Sequence, residues 1–265
     1  MSTGIEWTDE TWNPMTGCTQ ISEGCDNCYA LSLARNKPAV RDTYLRRLPV
    51  KDTPENRADS FAPRFWLERL AKPYSWRTPK RVFVNSMSDV FHAHFTLEQI
   101  QRVFEVMNDC PQHQFQLLTK RPERAVRLAG KLHFGANIWM GTSIENMKVA
   151  RRADALRAID CRVRFISAEP LLGSLALLNL EGIHWIIGGG ESGTGARKCE
   201  VEWAKDLRDS ARRQGVAFFW KQWGGRTSKS GGRELEGAEY NEYPVMLPGL
   251  ADVPGPGQTS LAIMA

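Results

Sequence analysis

This 265-residue sequence contains no long apolar run: no stretch reaches the roughly 18 residues that a membrane-spanning helix needs. Its start, "MSTGIEWTDETWNP", lacks the basic and apolar regions of a signal peptide, so a cytoplasmic protein without a membrane partner is expected. No internal repeat points to a solenoid. "GGGESGTG", from Gly188, looks like a phosphate loop but lacks the following Lys-Ser/Thr. That excludes a Walker motif and leaves anion binding by backbone amides as its one phosphate-directed option. Charge is nearly balanced, with 35 Lys and Arg against 30 Asp and Glu, so the net +5 gives only a slight preference for polyanionic partners.

Six cysteines in a reducing compartment read as metal ligands, reactive thiols or buried apolar residues before they read as disulfides. Cys110, Cys161 and Cys199 are far apart and are expected to be packing residues. Cys18, Cys25 and Cys28 fall within one short stretch, "CTQISEGCDNCY".

The apolar fraction of 42% and charged fraction of 25% are those of a globular protein, and the length suffices for one large core or two small ones. Short runs rich in aromatic or β-branched residues recur along the chain: "RVFVNSM" from Arg81, "QFQLLTK" from Gln114, "NIWMGTS" from Asn137, "RVRFISAEP" from Arg162, "HWIIGGGES" from His184 and "VAFFWKQW" from Val216. Such runs suit strands buried on both faces of a parallel sheet. Helical spacing lies between them. Thr96 reads as an N-cap followed by Ile100, Val103, Phe104 and Met107 on one face, and residues 123–131, 145–159 and 201–214 read alike, the last closed by Gly215.

With a short first strand near Trp12, about seven strands alternate with helices. The expected fold is an incomplete (β/α) TIM-like barrel, with an open doubly wound sheet as the alternative. A single domain over 1–247 is expected, interrupted at about 36–80 by a basic helical insertion packed beside the first strand and followed at 248–265 by a flexible tail.

A parallel barrel gathers the residues that follow its strands at one mouth. Lys120, Glu169, Glu191 and Lys221 each follow an apolar strand directly and are the candidate catalytic side chains. Arg121 and Gln222 are further substrate candidates, with Tyr29 and Trp223 able to stack on a flat substrate. The first strand would deliver the three cysteines to the same mouth, where Gly17 and Gly24 would let the backbone wrap a metal centre. Two metals suit them. Zinc would need a fourth ligand, for which His92 or His94 is available. A 4Fe-4S cluster on three thiolates leaves one iron open, and an open iron can bind S-adenosylmethionine and pass it an electron.

The cysteine stretch, followed in order by "VNSMSDVFH", "LLTKRPER", "MGTSIEN", "ISAEPLLG", "GGESGTGAR" and "FFWKQWG", resembles an uncharacterised, phage-associated three-cysteine family that is itself similar to the radical S-adenosylmethionine enzymes. The resemblance runs from about Ile5 to Pro244. It implies a 4Fe-4S cluster on Cys18, Cys25 and Cys28, S-adenosylmethionine as cofactor, a 5′-deoxyadenosyl radical that abstracts a substrate hydrogen, and an electron donor such as flavodoxin or ferredoxin. By similarity to spore photoproduct lyase, Ser86 or Ser88 and Lys120 would meet the cofactor's amino and carboxylate groups. Ser143 and Glu145 would meet its ribose.

Two features depart from that superfamily. Six residues, where three are usual, separate the first two cysteines, and the aromatic residue Tyr29 follows the third cysteine where it usually precedes it. The Gly-Gly-Glu motif that holds the cofactor's amino group follows the second strand there, whereas Gly189-Gly190-Glu191 follows the sixth here, so the role is not transferred. The expected substrate is a nucleobase in DNA, modified or rearranged as in hypermodified thymine pathways. A DNA photoproduct lyase and a non-catalytic, zinc-stabilised nucleic-acid-binding module are the alternatives.

Overall fold

The computed structural model describes residues 3–244. The expected tail at 248–265 and the last three positions of the expected 1–247 domain lie outside the described residues. Seven strands form one sheet: β1 (Glu10–Trp12), β2 (Arg81–Val84), β3 (Gln114–Thr119), β4 (Ile138–Ser143), β5 (Val163–Ala168), β6 (Trp185–Gly189) and β7 (Ala217–Gln222). They neighbour one another in chain order and every pairing is parallel. A doubly wound sheet reverses its order partway. An unreversed order keeps successive right-handed crossovers on one face and curls the sheet, so the fold is an α/β half-barrel with β1 and β7 at its open edges.

The helices sit where the crossovers require. α1 (Tyr29–Asn36) leads into the insertion, which carries α2 (Pro38–Leu45) and α3 (Pro54–Ala58); α4 (Leu97–Asp109), α5 (Pro122–Ala129) and α6 (Arg152–Arg157) follow β2, β3 and β4, and α7 (Val201–Arg213) follows β6, while β5 runs to β6 through a connection without a helix. Thr96 caps α4 through a reciprocal capping box with Gln99. Gly215, at φ 67°, turns the chain out of α7. The helix expected at 145–159 is shortened to α6. Glu145 is drawn into a buried ion pair, and Asn146 folds its side chain back onto the Lys148 amide, so the backbone enters a 3₁₀ turn first.

Side-chain alternation separates two cores. Val82, Val84, Phe115, Leu117, Ile138, Met140, Ile166, Ile186, Phe218 and Trp220 face the helices. Phe83, Trp139, Phe165, Trp185, Ile187 and Phe219 form a second cluster with Trp7 that includes no helix residue, and so fills the concave side. Trp185 is its centre, 6.1 Å from the Trp7 ring, 6.0 Å from Trp139, 5.7 Å from Phe165 and 6.1 Å from Phe219. This aromatic plug closes the strand starts. At the strand ends the same face carries Gly141, Ser143, Ser167, Gly189 and Lys221.

Residues 37–80 fold beside β1. Tyr44, Phe61 and Trp66 pack on Ala30 and Ala34 of α1, and a two-residue antiparallel ladder joins Met15–Thr16 to Arg64–Phe65. The fully buried Arg64 guanidinium gathers this loop-rich segment by donating to the carbonyls of Arg47, Asn56, Asp59 and Ala62. Among the described residues no helix is long and apolar enough to cross a membrane.

Trp185→Ala should lower unfolding stability by about 3–5 kcal/mol, because it opens a cavity at the ring that packs against Trp7, Trp139, Phe165 and Phe219. Urea unfolding followed by circular dichroism would measure it; a loss under about 1 kcal/mol would show that the plug is not a packed core.

Candidate functional site

The chain leaves β1 through Asn13 and reaches Gly17, where it becomes the loop that carries the cysteines. Gly17 has φ 83°, and a Cβ there would stand 2.2 Å from the Ala62 carbonyl oxygen, so both conformation and space require glycine. Gly24 is needed for another reason: a Cβ would fall 2.3 Å from Cγ of Glu145. The two glycines expected to wrap a metal centre therefore seat the loop against its neighbours.

Four contacts from distant strand ends fix this loop. Ser88, after β2, donates its hydroxyl to the Gly17 carbonyl at 2.6 Å. Arg121, after β3, donates to the Thr19 carbonyl at 3.0 Å and the Thr19 hydroxyl at 2.9 Å, and lies 3.8 Å from Sγ of Cys18. Glu145, after β4 and 1% exposed, accepts from Ser22 at 2.5 Å and from Arg152 of α6 at 2.9 Å. Glu191, after β6, accepts from Asn27 at 2.8 Å and pairs with Arg197 at 2.5 Å. Arg197 also donates to the Glu23 carbonyl and pairs with Asp26 at 3.2 Å. Beside Arg121, Asp89 accepts from the Thr119 hydroxyl and from the Phe91 and Lys120 amides, which locks the β2 and β3 ends together.

The predicted residues thus divide into groups. Glu145 and Glu191, expected to meet ribose and substrate, have their carboxylates occupied by Ser22, Arg152, Asn27 and Arg197 and act on the loop. The Ser88 hydroxyl is taken by Gly17, and Ser86 exchanges hydrogen bonds with Asn13 at 3.2 Å while its carbonyl accepts from the Tyr29 phenol. Glu169 and Lys221 come together on the concave face at 2.8 Å, with Ser167 on the other Glu169 oxygen at 3.2 Å. Ser143 is buried on the same face, its carbonyl accepting from Arg152. Gln222 is buried against Ser192. Trp223 packs on Trp220 at 4.8 Å and donates to the Glu234 carbonyl, which makes it a wall of the C-terminal loop. Lys120 lines a cleft between α5 and α6 that none of Ser86, Ser88, Ser143, Glu169, Glu191 and Lys221 lines.

Cys18, Cys25 and Cys28 are free and half-buried, while Cys110, Cys161 and Cys199 are buried in the core. Burial, reinforced by the Asp89 carboxylate, pushes the Cys18 thiol up to about 12, against the pull of the Arg121 guanidinium. Three thiols in one loop, with Cys18 close enough to feel the charge of Cys25, are a donor set whose chemistry fits an iron–sulfur cluster. Among the described residues no three His, Cys, Asp or Glu side chains are grouped as ligands of a metal ion. The thiols are therefore placed in one loop without forming a closed ligand sphere. His92 supplies no fourth ligand: Nδ1 accepts from the His94 amide at 3.2 Å, which leaves Nε2 to donate to Thr19 at 2.9 Å. Burial, with Arg121, His94 and Arg124 nearby, holds His92 down to about 3 and keeps it neutral.

The braces Ser22, Arg152, Asn27 and Arg197 were not singled out by the sequence reading. Each pairs with a partner more than 100 positions away or sits inside a helix pattern, and no local signal marks such a pairing.

The class defined so far is a parallel (β/α) half-barrel whose first crossover carries three free thiols at the C-terminal mouth. A family described as protein of unknown function, DUF5131, matches residues 2–244, and the chain belongs to that family. No curated protein matches it. Among solved structures it is similar to spore photoproduct lyase complexed with dinucleoside spore photoproduct, at TM-score 0.48 and 14% identity over 77% of this chain and 72% of that one. A tyrosine-to-phenylalanine mutant of that lyase gives TM-score 0.43 and 12% identity over 77% and 60%.

Glu145→Ala should cost about 3–5 kcal/mol, because it strands the buried Arg152 guanidinium; an unfolding midpoint unchanged in urea would remove the pair from the loop's support. The Glu191 brace has a pH signature. Burial opposes its ionisation, but hydrogen bonds from Arg197 and Asn27 prevail and hold its carboxyl below the ordinary value of 4.5. A depressed carboxyl gives stability that is complete above the unfolded value and is lost as pH falls through the folded one. Amide protection over Glu23–Cys28 should therefore be constant from pH 7 to 5 and fall below about pH 4.5, and Glu191→Gln should abolish that step. The same step persisting in the variant would assign it to another group.

Proposed function

We propose that this chain is a radical S-adenosylmethionine enzyme that carries a 4Fe-4S cluster on Cys18, Cys25 and Cys28 and acts on a nucleobase in DNA. The observation that carries the reading is the placement of three free thiols in one braced loop at the mouth of a parallel half-barrel. When bound, the cluster would supply one electron to S-adenosylmethionine, with the electron drawn from a donor protein such as flavodoxin or ferredoxin.

The chain's own residues have separable tasks. Cys18, Cys25 and Cys28 donate thiolates, and the Arg121 guanidinium beside Cys18 favours the charged form. Lys120, with no acidic partner among the described residues, is the free cation available to a cofactor carboxylate. The hydroxyls of Ser86 and Ser88 are engaged within the protein, which leaves Ser143 as the hydroxyl on the concave face for the ribose. Glu169 and Lys221 meet the substrate, the carboxylate as acceptor and the ammonium as donor to a base edge. The aromatic plug below them shuts the strand starts to water. A non-catalytic zinc module is the weaker reading, because it needs a fourth ligand and both ring nitrogens of His92 are already hydrogen-bonded, which leaves His94 as the one histidine candidate.

Protein purified without oxygen should be brown and contain about four irons per chain, and the triple Cys18→Ala/Cys25→Ala/Cys28→Ala variant should be colourless and fold normally. Lys120→Ala should keep the iron while losing affinity for S-adenosylmethionine in equilibrium dialysis. Colourless wild-type protein with stoichiometric zinc would replace the enzyme by the module, and unchanged cofactor affinity would release Lys120.

A further inference from the structure

The cleft that Lys120 lines is a cavity of about 420 Å³ between α5 and α6, walled by Ile21 of the cysteine loop, Phe91 and a set of cations: Lys120, Arg121, Arg124, Arg127, Arg151 and Arg152. Glu123 is the one carboxylate in its wall. Carboxylates answer three of the six cations: Asp89 pairs with Arg121 at 3.6 Å, Glu123 with Arg151 at 3.7 Å and Glu145 with Arg152 at 2.9 Å. Arg124 is held by neutral groups only, the carbonyls of His92 and Phe95. Lys120 and Arg127 have no partner among the described residues.

Uncompensated like charges gathered in a concavity repel one another, and the low-dielectric walls strengthen that repulsion. Burial first, then the charge of Arg127 and, more weakly, that of Arg121 push the Arg124 guanidinium below its ordinary value, against the pull of the Asp89 carboxylate. An oxyanion entering the cleft would relieve the strain. Arg124 and Arg127 stand at i and i+3 on α5, so their side chains share one helix face and can meet a single phosphate group. The cationic track starts at Arg121 beside Cys18 and continues along α5 away from the mouth.

Three arginines of the insertion are engaged within it. There Arg41 pairs with Asp42 at 3.0 Å, Arg47 pairs with Glu68 at 3.1 Å and donates to the Phe65 carbonyl, and Arg46 donates to the Asp42 carbonyl. These groups hold the segment's own fold.

Resting on the DNA reading above, we propose that the α5–α6 cleft is a phosphate site in which Arg124, Arg127 and Arg151 hold the backbone of a nucleic-acid strand whose base enters the barrel mouth. The full-length apo chain and a fluorescent single-stranded oligonucleotide test it, with affinity read by anisotropy across a salt series. Arg127→Gln/Arg151→Gln alters two exposed or unpartnered side chains and should fold as the wild type does. It should weaken binding tenfold or more and lower the slope of log K against log salt by about 1.4, or 0.7 for each lost single-strand contact. Arg41→Glu/Arg46→Glu in the insertion should change neither. Displacement of the oligonucleotide by millimolar thymidine monophosphate, lost in the cleft variant, would keep the phosphate site and assign it to free nucleotides. Unchanged affinity and slope in the cleft variant would overturn the proposal, as would selective loss of binding to the acidic electron-donor protein while oligonucleotide binding stays intact. Cluster content and cofactor cleavage are assayed separately, so an absent cluster sinks the enzyme reading and leaves the phosphate site standing.

Discussion

The braced loop between Gly17 and Cys28 is the constraint on which the rest of the site depends. A twelve-residue loop with three cysteines has no core of its own, so its shape must come from outside. The outside groups are charged: Glu145 with Arg152 at the end of β4, and Glu191 with Arg197 beyond β6. Removing either partner of the buried pair leaves a charge without solvent or counter-ion, which is why the arrangement resists partial loosening. One loop is thereby tied to the ends of β2, β3, β4 and β6. Its thiols keep their position only while the half-barrel keeps its curvature.

The division of labour along the concave face follows from strand geometry. Side chains alternate, so each strand offers the interior a side chain at every second position. In β4 these are Trp139, Gly141 and Ser143; in β5 they are Val163, Phe165 and Ser167, with Glu169 beyond. Bulk comes first and polarity last on both strands. Gly141 makes room for the Phe165 ring, 2.4 Å from where a Cβ would stand, so the plug is complete before the polar mouth begins. The protein can therefore hold a half-buried Glu169–Lys221 pair at the edge of its own core with water excluded from below.

That grading explains what the sequence made legible. Apolar runs ending in a polar residue, at "QLLTK", "FISAE" and "AFFWK", are periodic signals within six or so residues, and they gave the seven strands, their order and the residues at their ends. The capping box at Thr96 and the Gly215 cap are equally local. The roles of those residues did not follow. Glu145, Glu191 and Ser88 sit where a cofactor contact would sit, but Ser22, Asn27 and Gly17, more than 70 positions away, together with Arg152 and Arg197, seven and six positions on, have already taken their polar atoms. Position on a strand is a local property; freedom of a side chain is set by the whole fold.

Net charge conceals a similar distinction. A surplus of five positive charges over 265 residues is small, and an arginine-rich segment such as 36–80 looks like the natural place for it. In the fold, most of those arginines are consumed by internal acids and carbonyls, with Arg64 fully buried as an organiser of the insertion, while the exposed Lys37, Lys51, Lys72 and Arg77 have no acidic partner among the described residues. A second group of cations lies in "TKRPERAVR", where β3 meets α5, because a helix repeats every 3.6 residues and brings Arg124 and Arg127 to one wall beside the Asp89-paired Arg121. Arg151 comes from the next crossover to face them. Low-dielectric walls focus the field of charges gathered in a concavity, so a few uncompensated side chains beside α5 direct more field at an incoming anion than the exposed, solvent-screened cations Lys37, Lys51, Lys72 and Arg77 of the insertion. The same wall ends at Cys18 through Arg121, so the proposed phosphate site adjoins the thiol loop.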